Sequence, residues 1–135
     1  MNDIAIFGAG GFGKEVACLI RRINEANEEP VWNLIGFFDD NPELKGKQIS
    51  HFGSCLGGTE ELNAYPKELA VAMAIGSSVV VKKVVDQITN ANITFPNLIH
   101  PKFFVADPQS FAIGNGNIIQ GDCSVTCDVS IGNFN

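Results

Sequence analysis

The sequence predicts an α/β architecture: an open parallel sheet over residues 1–100, then the start of a parallel β-helix over residues 101–135. Three observations carry that expectation. Up to about residue 95, short apolar runs alternate with amphipathic segments, the pattern of parallel strands joined by right-handed helical crossovers. A Gly8-x-Gly10-x-x-Gly13 motif stands directly between the first apolar run and the first amphipathic segment. After His100-Pro101 the apolar period changes to six residues.

Residues 4–7, Ile-Ala-Ile-Phe, read as a buried strand. The helix after the glycine motif has Val16, Leu19, Ile20 and Ile23 on one face, spaced i, i+3, i+4, i+7. A second strand over 34–38 stops at Asp39-Asp40-Asn41-Pro42, a strong turn signal. A looser region follows, with a short strand near Cys55-Leu56 and a helix near 59–63. The third clear strand is 69–75, and Gly76-Ser77-Ser78 after it offers a serine cap to the next helix. That helix sets Val81, Val84, Val85 and Ile88 against Lys82, Lys83, Asp86 and Gln87. Residues 93–95 form a last short strand.

Ile113, Ile119, Val125 and Ile131 then recur every six residues, with Gly following two of them at Gly114 and Gly132. No helical period and no simple strand period produces this. A six-residue repeat with a β-branched anchor marks hexapeptides, each forming one flat face of a β-helical coil. Three faces close a coil, and stacked repeats need several coils to bury their apolar side. Four anchors supply little more than one coil, so the sequence reads as the N-terminal portion of a longer protein.

Composition excludes several classes of function. Apolar residues at 45% and charged residues at 18% are incompatible with disorder. The net charge is −6 and there is no basic run, so no nucleic-acid partner is expected. No basic leader precedes the first strand, and the apolar stretch 69–81 is interrupted and too short to span a bilayer. A cytoplasmic protein without a membrane partner is expected. Cys18, Cys55, Cys123 and Cys127 form no CxxC pair, so they read as reduced thiols and no metal is expected.

Glycine supplies 14 residues, about one in ten against an ordinary roughly one in fourteen. Residues 8–13 lie in the strand–turn–helix context where GxGxxG is informative. There it allows a tight turn, close approach of backbone to phosphate, and a helix N-terminus facing a diphosphate. Lys14 adds a positive charge in the first helical turn. A dinucleotide and a nucleotide sugar both present a diphosphate, and a tight turn without ligand is the structural alternative. Asp39-Asp40 ends the second strand, 26 residues past Gly13 where a dinucleotide site places an acid roughly 20 past the motif. A carboxylate there either accepts from a ribose or base, or makes an Asx turn before Pro42. Gly76 and Ser77 stand at a strand's carboxyl end, the edge where open sheets bind ligands. His51 and His100 are the candidate bases, and neither has a nucleophile or an orienting partner nearby in sequence. No catalytic constellation can be assembled.

Taken in order, these segments resemble a known family. They are Gly8-Ala9-Gly10-Gly11-Phe12-Gly13-Lys14, Gly36-Phe37-Phe38-Asp39-Asp40-Asn41-Pro42, Leu56-Gly57-Gly58, Ala74-Ile75-Gly76 and Leu98-Ile99-His100-Pro101, followed by the hexapeptides. They resemble the sugar O-/N-acyltransferases of the sialic acid O-acetyltransferase type, which include bacterial acetyltransferases of nucleotide-linked amino sugars. The resemblance implies a Rossmann-like domain that holds the sugar substrate. It also implies a left-handed β-helix that forms a homotrimer and binds acetyl-CoA between subunits. By position it implies substrate contacts from Gly8, Ala9, Gly10, Gly11, Phe12, Gly13 and Lys14, and a nucleotide pocket lined by Asp39, Asp40, Gly76 and Ser77. Phe12 stands where the family commonly has His, and Val81 where it often has a basic residue. The family's catalytic base is a His in a later coil, expected beyond Asn135, so residues 1–135 alone are expected to bind a nucleotide sugar and transfer nothing. Two other readings use the same residues: an NAD(H)-binding oxidoreductase or redox-sensing domain, and a sugar-nucleotide-binding module without catalysis.

Overall fold

A computed structural model describes every residue from Met1 to Asn135. Strand β1 (Asn2–Phe7) lies at the centre of a six-stranded sheet. It pairs in parallel with β2 (Trp32–Phe38) on one side and with β5 (Leu69–Met73) on the other. Outside β2 lies β4 (Gly53–Gly57), also parallel, and outside β5 lies β6 (Ile93–Thr94). Helices α1 (Gly11–Glu25), α2 (Thr59–Asn63) and α3 (Ser78–Gln87) complete the unit. The α/β class and the parallel sheet are those the sequence predicts.

One strand escapes the sequence pattern. Strand β3 (Gln48–Ile49) turns back through Ser50, at φ 50°, and pairs antiparallel with β4 at the sheet edge. Two residues are too few to show a period-2 alternation, so the segment reads as loop. At the other side, β5 ends at Met73, two residues before the apolar run does. Ala74 still donates to the Phe7 carbonyl at 2.8 Å, where the chain crosses close over Gly8.

Strand alternation divides the core between the two sheet faces. Ile4 and Ile6 of β1 join Val16, Leu19 and Ile20 of α1, together with Phe37, Cys55 and Leu98. Ala5 and Phe7 point the other way and meet Phe38, Leu62, Val71, Met73, Val81 and Val84 beneath α2 and α3. The helix faces read from the sequence are therefore the buried ones. Val85 and Ile88 pack at the margin of the second cluster, and Ile23 at the margin of the first.

From Leu98 onward the chain forms three short parallel ladders. Strand β7 (Leu98–Ile99) pairs with β10 (Ile118–Ile119), and β8 (Phe104–Val105) with β11 (Ser124–Val125). Strand β9 (Ala112–Ile113) pairs with β12 (Ser130–Ile131). The partners are 20, 20 and 18 residues apart, so the anchors Ile119 and Val125 stack on Ile99 and Val105, which lie outside the six-residue series, and Ile131 stacks on the anchor Ile113. Three apolar residues tie this part to the sheet, Leu98 in the α1 cluster, Ile118 packed against it, and Phe134 against the α3 cluster.

Asn117 locks successive turns of this segment together and is 0% exposed. Its side chain donates to Asn97 Oδ1 at 3.1 Å and to the Gly132 carbonyl at 2.7 Å, and accepts from the Asn135 N–H at 2.7 Å. Removing it leaves buried partners without hydrogen bonds, at about 1–3 kcal/mol. We therefore expect Asn117→Ala to lower the urea unfolding free energy by that amount. The exposed neighbour substitution Asn115→Ala should stay within about 0.5 kcal/mol of the parent.

Candidate functional site

Strand β1 runs into the glycine turn, and two of its glycines are fixed by packing. Gly8 has φ 117°, and a side chain there would strike the Ala74 carbonyl oxygen. Gly13 is buried, and a side chain there would strike the Gly8 carbonyl oxygen. These two positions bring β1, α1 and β5 together at backbone distance. Gly10 and Gly11 differ, because a side chain at either meets nothing within 4 Å. They leave an exposed stretch of backbone at the start of α1.

Helix α1 carries no acidic residue in its first turn and no side-chain cap, so its end of positive dipole faces outward. Lys14 is exposed in that turn, with no ion-pair partner. Helix α3 begins at the carboxyl end of β5, also without an acid in its first turn. Its cap is Ser77, whose Oγ accepts from the Val80 N–H at 3.4 Å. Both helix N-termini thus stand at the carboxyl ends of β1 and β5. The sheet order reverses between these strands, which is where open α/β sheets form their ligand crevice.

A cleft of about 310 Å³ lies there. Phe12, Met73, Ile75, Gly76, Ser78 and Val81 line one side, and Gly116, Ile118, Phe134 and Asn135 the other. Phe12 is 36% exposed and offers a ring to the opening. Opposite it, Phe134 is held edge-on against Phe95, with ring centroids 5.3 Å apart. Six of its ten lining residues are apolar, and its polar groups are backbone amides, Ser78 and Asn135.

Asp39 and Asp40 lie elsewhere, in a second cleft of about 220 Å³ at the ends of β2 and β4. Asp39 accepts from the Ala9 N–H at 3.0 Å and the Asn41 N–H at 2.9 Å. Asp40 accepts from the Thr59 N–H at 2.7 Å and the Thr59 hydroxyl at 3.0 Å. Lys45 bridges to Glu61 at 2.9 Å, and Glu61 also accepts from the Gly58 N–H at 2.8 Å. These bonds to Lys45 and then Gly58 lower the Glu61 carboxyl from 4.5 to about 2. The Lys45 ammonium is raised in turn by the same partner.

The predicted residues therefore separate into two groups. Phe12 and Gly76 line the larger cleft, Gly10, Gly11 and Lys14 are exposed at the start of α1, and Ser77 caps α3. Asp39 and Asp40 flank the smaller cleft, and Ala9 joins the two groups through its bond to Asp39. His51 stands exposed beside Ser50, and the Nδ1 of His100 accepts from the Lys102 N–H at 3.1 Å. The Ser50 hydroxyl lies 3.3 Å from His51 Nδ1, a serine–histidine contact not anticipated from the sequence, and no carboxylate bonds to either histidine ring. No group of three His, Cys, Asp or Glu is placed to hold a metal. Ile118, Phe134 and Asn135 carry no motif, and only the fold brings them to the cleft.

Comparisons with known proteins follow this geometry. A family model described as the PglD N-terminal domain matches residues 3–88. No curated protein sequence matches the chain. Among solved structures, WeeI from Acinetobacter baumannii AYE is 25% identical with a TM-score of 0.77, covering 99% of this chain and 59% of that one. PerB from Caulobacter crescentus, in complex with CoA and GDP-perosamine, is 20% identical with a TM-score of 0.75, covering 100% and 60%. The acetyltransferase domain of PglB from Neisseria gonorrhoeae FA1090, in complex with acetyl coenzyme A, is 24% identical with a TM-score of 0.71, covering 99% and 69%. This chain thus spans about three fifths of the first two. No helix is long and apolar enough to cross a membrane.

Two outcomes check the site. Gly13→Ala should cost about 1–3 kcal/mol of stability by overpacking, whereas Gly10→Ala should change it by less than about 1 kcal/mol, as read by chemical denaturation. The low Glu61 carboxyl stabilises the fold above its unfolded value near 4.5, and that contribution is lost as pH falls toward about 2. Melting temperatures of the parent and Glu61→Gln should therefore differ at neutral pH and converge across that window.

Proposed function

The chain belongs to the PglD N-terminal domain family, which its residues 3–88 match, and on that premise we propose that it is the nucleotide-sugar-binding part of an acetyl-CoA-dependent sugar acetyltransferase. The observation that carries this reading is the cleft at the carboxyl ends of β1 and β5. Exposed glycine backbone and two helix N-termini without acids suit a diphosphate. The apolar walls beyond them suit the flatter faces of a sugar ring or base. A structural relative described with CoA and GDP-perosamine supports the same pair of ligand classes.

In this reading residues 1–100 form a Rossmann-like domain, and 101–135 the first coil of a left-handed β-helix built from hexapeptides. The three stacked ladders, 18 to 20 residues apart, support that architecture. Gly8, Ala9, Gly10, Gly11, Phe12, Gly13 and Lys14 then face or shape the phosphate site, with Gly76 and Ser77 across the crevice. In the whole protein, working as a homotrimer, the sugar's amine or hydroxyl attacks the thioester carbonyl as a histidine base takes its proton. The new C–N or C–O bond forms, the C–S bond breaks, and the proton passes to the sulfur so that coenzyme A leaves as the thiol. Neither His51 nor His100 is assigned that role here, because neither borders the cleft of Phe12 and Phe134.

A thermal-shift titration tests the binding step. At a hundredfold excess over Kd, a GDP- or UDP-linked amino sugar should raise the melting temperature by about 5–10 °C. NADH should leave it unchanged. Stabilisation by NADH and not by either nucleotide sugar would contradict the proposal.

A further inference from the structure

At the end of a second strand, a carboxylate in an open α/β domain is placed to accept from a ribose. The bonds of Asp39 point to a different task. Both of its oxygens are engaged within the protein, Oδ2 by the Ala9 N–H at 3.0 Å and Oδ1 by the Asn41 N–H at 2.9 Å. Its own N–H donates to the Gly57 carbonyl at 2.8 Å, and the preceding Phe38 carbonyl accepts from Gly8 at 2.8 Å. One residue thereby joins the glycine turn, the end of β2 and the end of β4.

Packing fixes the turn at Gly8 and Gly13, and between them no side chain other than that of Asp39 bonds to it. Gly10 precedes α1 without a side-chain cap. The bond from Ala9 to Asp39 is the sole side-chain hydrogen bond to residues 8–13. Ala9 is itself buried, so without Asp39 its N–H would lose its partner inside the protein. The cleft that Asp39 borders also shares no lining residue with the cleft of Phe12, Gly76 and Phe134. We propose that Asp39 is a positioning residue, which fixes the exposed Gly10-Gly11 backbone in the shape that receives a diphosphate, and is not a ribose contact. The proposal rests on the nucleotide-sugar reading given above.

The test compares GDP, 2′-deoxy-GDP, 3′-deoxy-GDP and guanosine, and the matching uridine set, on the parent, Asp39→Asn and Asp39→Ala by titration calorimetry. The asparagine oxygen can replace one carboxylate bond but not both. Affinity for the diphosphates should fall about tenfold in Asp39→Ala, the worth of one charged hydrogen bond, and less in Asp39→Asn. The deoxy-to-ribo affinity ratio should stay at its parent value, and nucleoside affinity should not change. A ratio that collapses to one in the variants would make Asp39 a ribose contact and overturn the proposal. An equal loss for nucleosides and diphosphates would reduce it to a merely structural role and also overturn it.

Amide hydrogen exchange in the unliganded protein separates the two readings. If no nucleotide binds the parent, the nucleotide-sugar reading fails, and exchange at Ala9 then decides the positioning claim alone. Faster exchange at Ala9 in Asp39→Ala, with partial rescue in Asp39→Asn, supports it. Unchanged exchange overturns it.

Discussion

A side chain at Gly13 would collide with the carbonyl oxygen of Gly8, and that exclusion sets the geometry at the end of the central strand. Helix α1 can start directly over the end of β1 only because no Cβ intervenes. The same close approach recurs between Gly8 and the Ala74 carbonyl, so β1, α1 and β5 meet almost backbone to backbone. What remains outside the contact is the short exposed turn of Gly10 and Gly11. Fixed glycines below and free glycines above divide one motif into a packed half and an exposed half. The motif's spacing describes both halves at once.

The second constraint lies outside the sheet. The cleft beside the glycine turn has two walls, and one of them comes from Gly116, Ile118, Phe134 and Asn135. These residues sit where they do because Asn117, wholly buried, ties Asn97, Gly132 and Asn135 together. A buried polar network of this kind is stable only when every member is satisfied, and here no buried side-chain polar atom is left without a partner. The ladder segment is thus a structural part of the cleft. The cleft is therefore built from both parts of the chain, the sheet unit and the ladder segment that follows it.

Much of the fold was legible because burial imposes periodicity. The helix faces of Val16, Leu19, Ile20 and of Val81, Val84 follow from their spacing, and the anchors Ile113 and Ile131 stack three repeats apart, whereas the partners Ile99 and Val105 lie outside the six-residue series. Strand β3 was not legible, since two residues at an edge carry no period. The site was legible in part. The glycine motif announces a phosphate-sized turn, yet its spacing does not reveal which glycines are packed and which are free. Asp39 reads equally as ribose acceptor or turn former in sequence, and only the three-dimensional neighbours Ala9 and Asn41 distinguish these tasks. Phe134 lies 122 residues from Phe12 and carries no motif, so the wall it forms depends wholly on tertiary structure.

The function proposed above requires the crevice between the glycine turn and the wall of Ile118 and Phe134 to receive a nucleotide sugar. A crystal structure of the chain with a GDP- or UDP-linked amino sugar tests it most directly. The diphosphate should lie against the backbone of Gly10 and Gly11, and the rest of the ligand between Phe12, Ile75 and Phe134. A ligand seated instead among Asp40, Lys45 and Glu61 would overturn this reading.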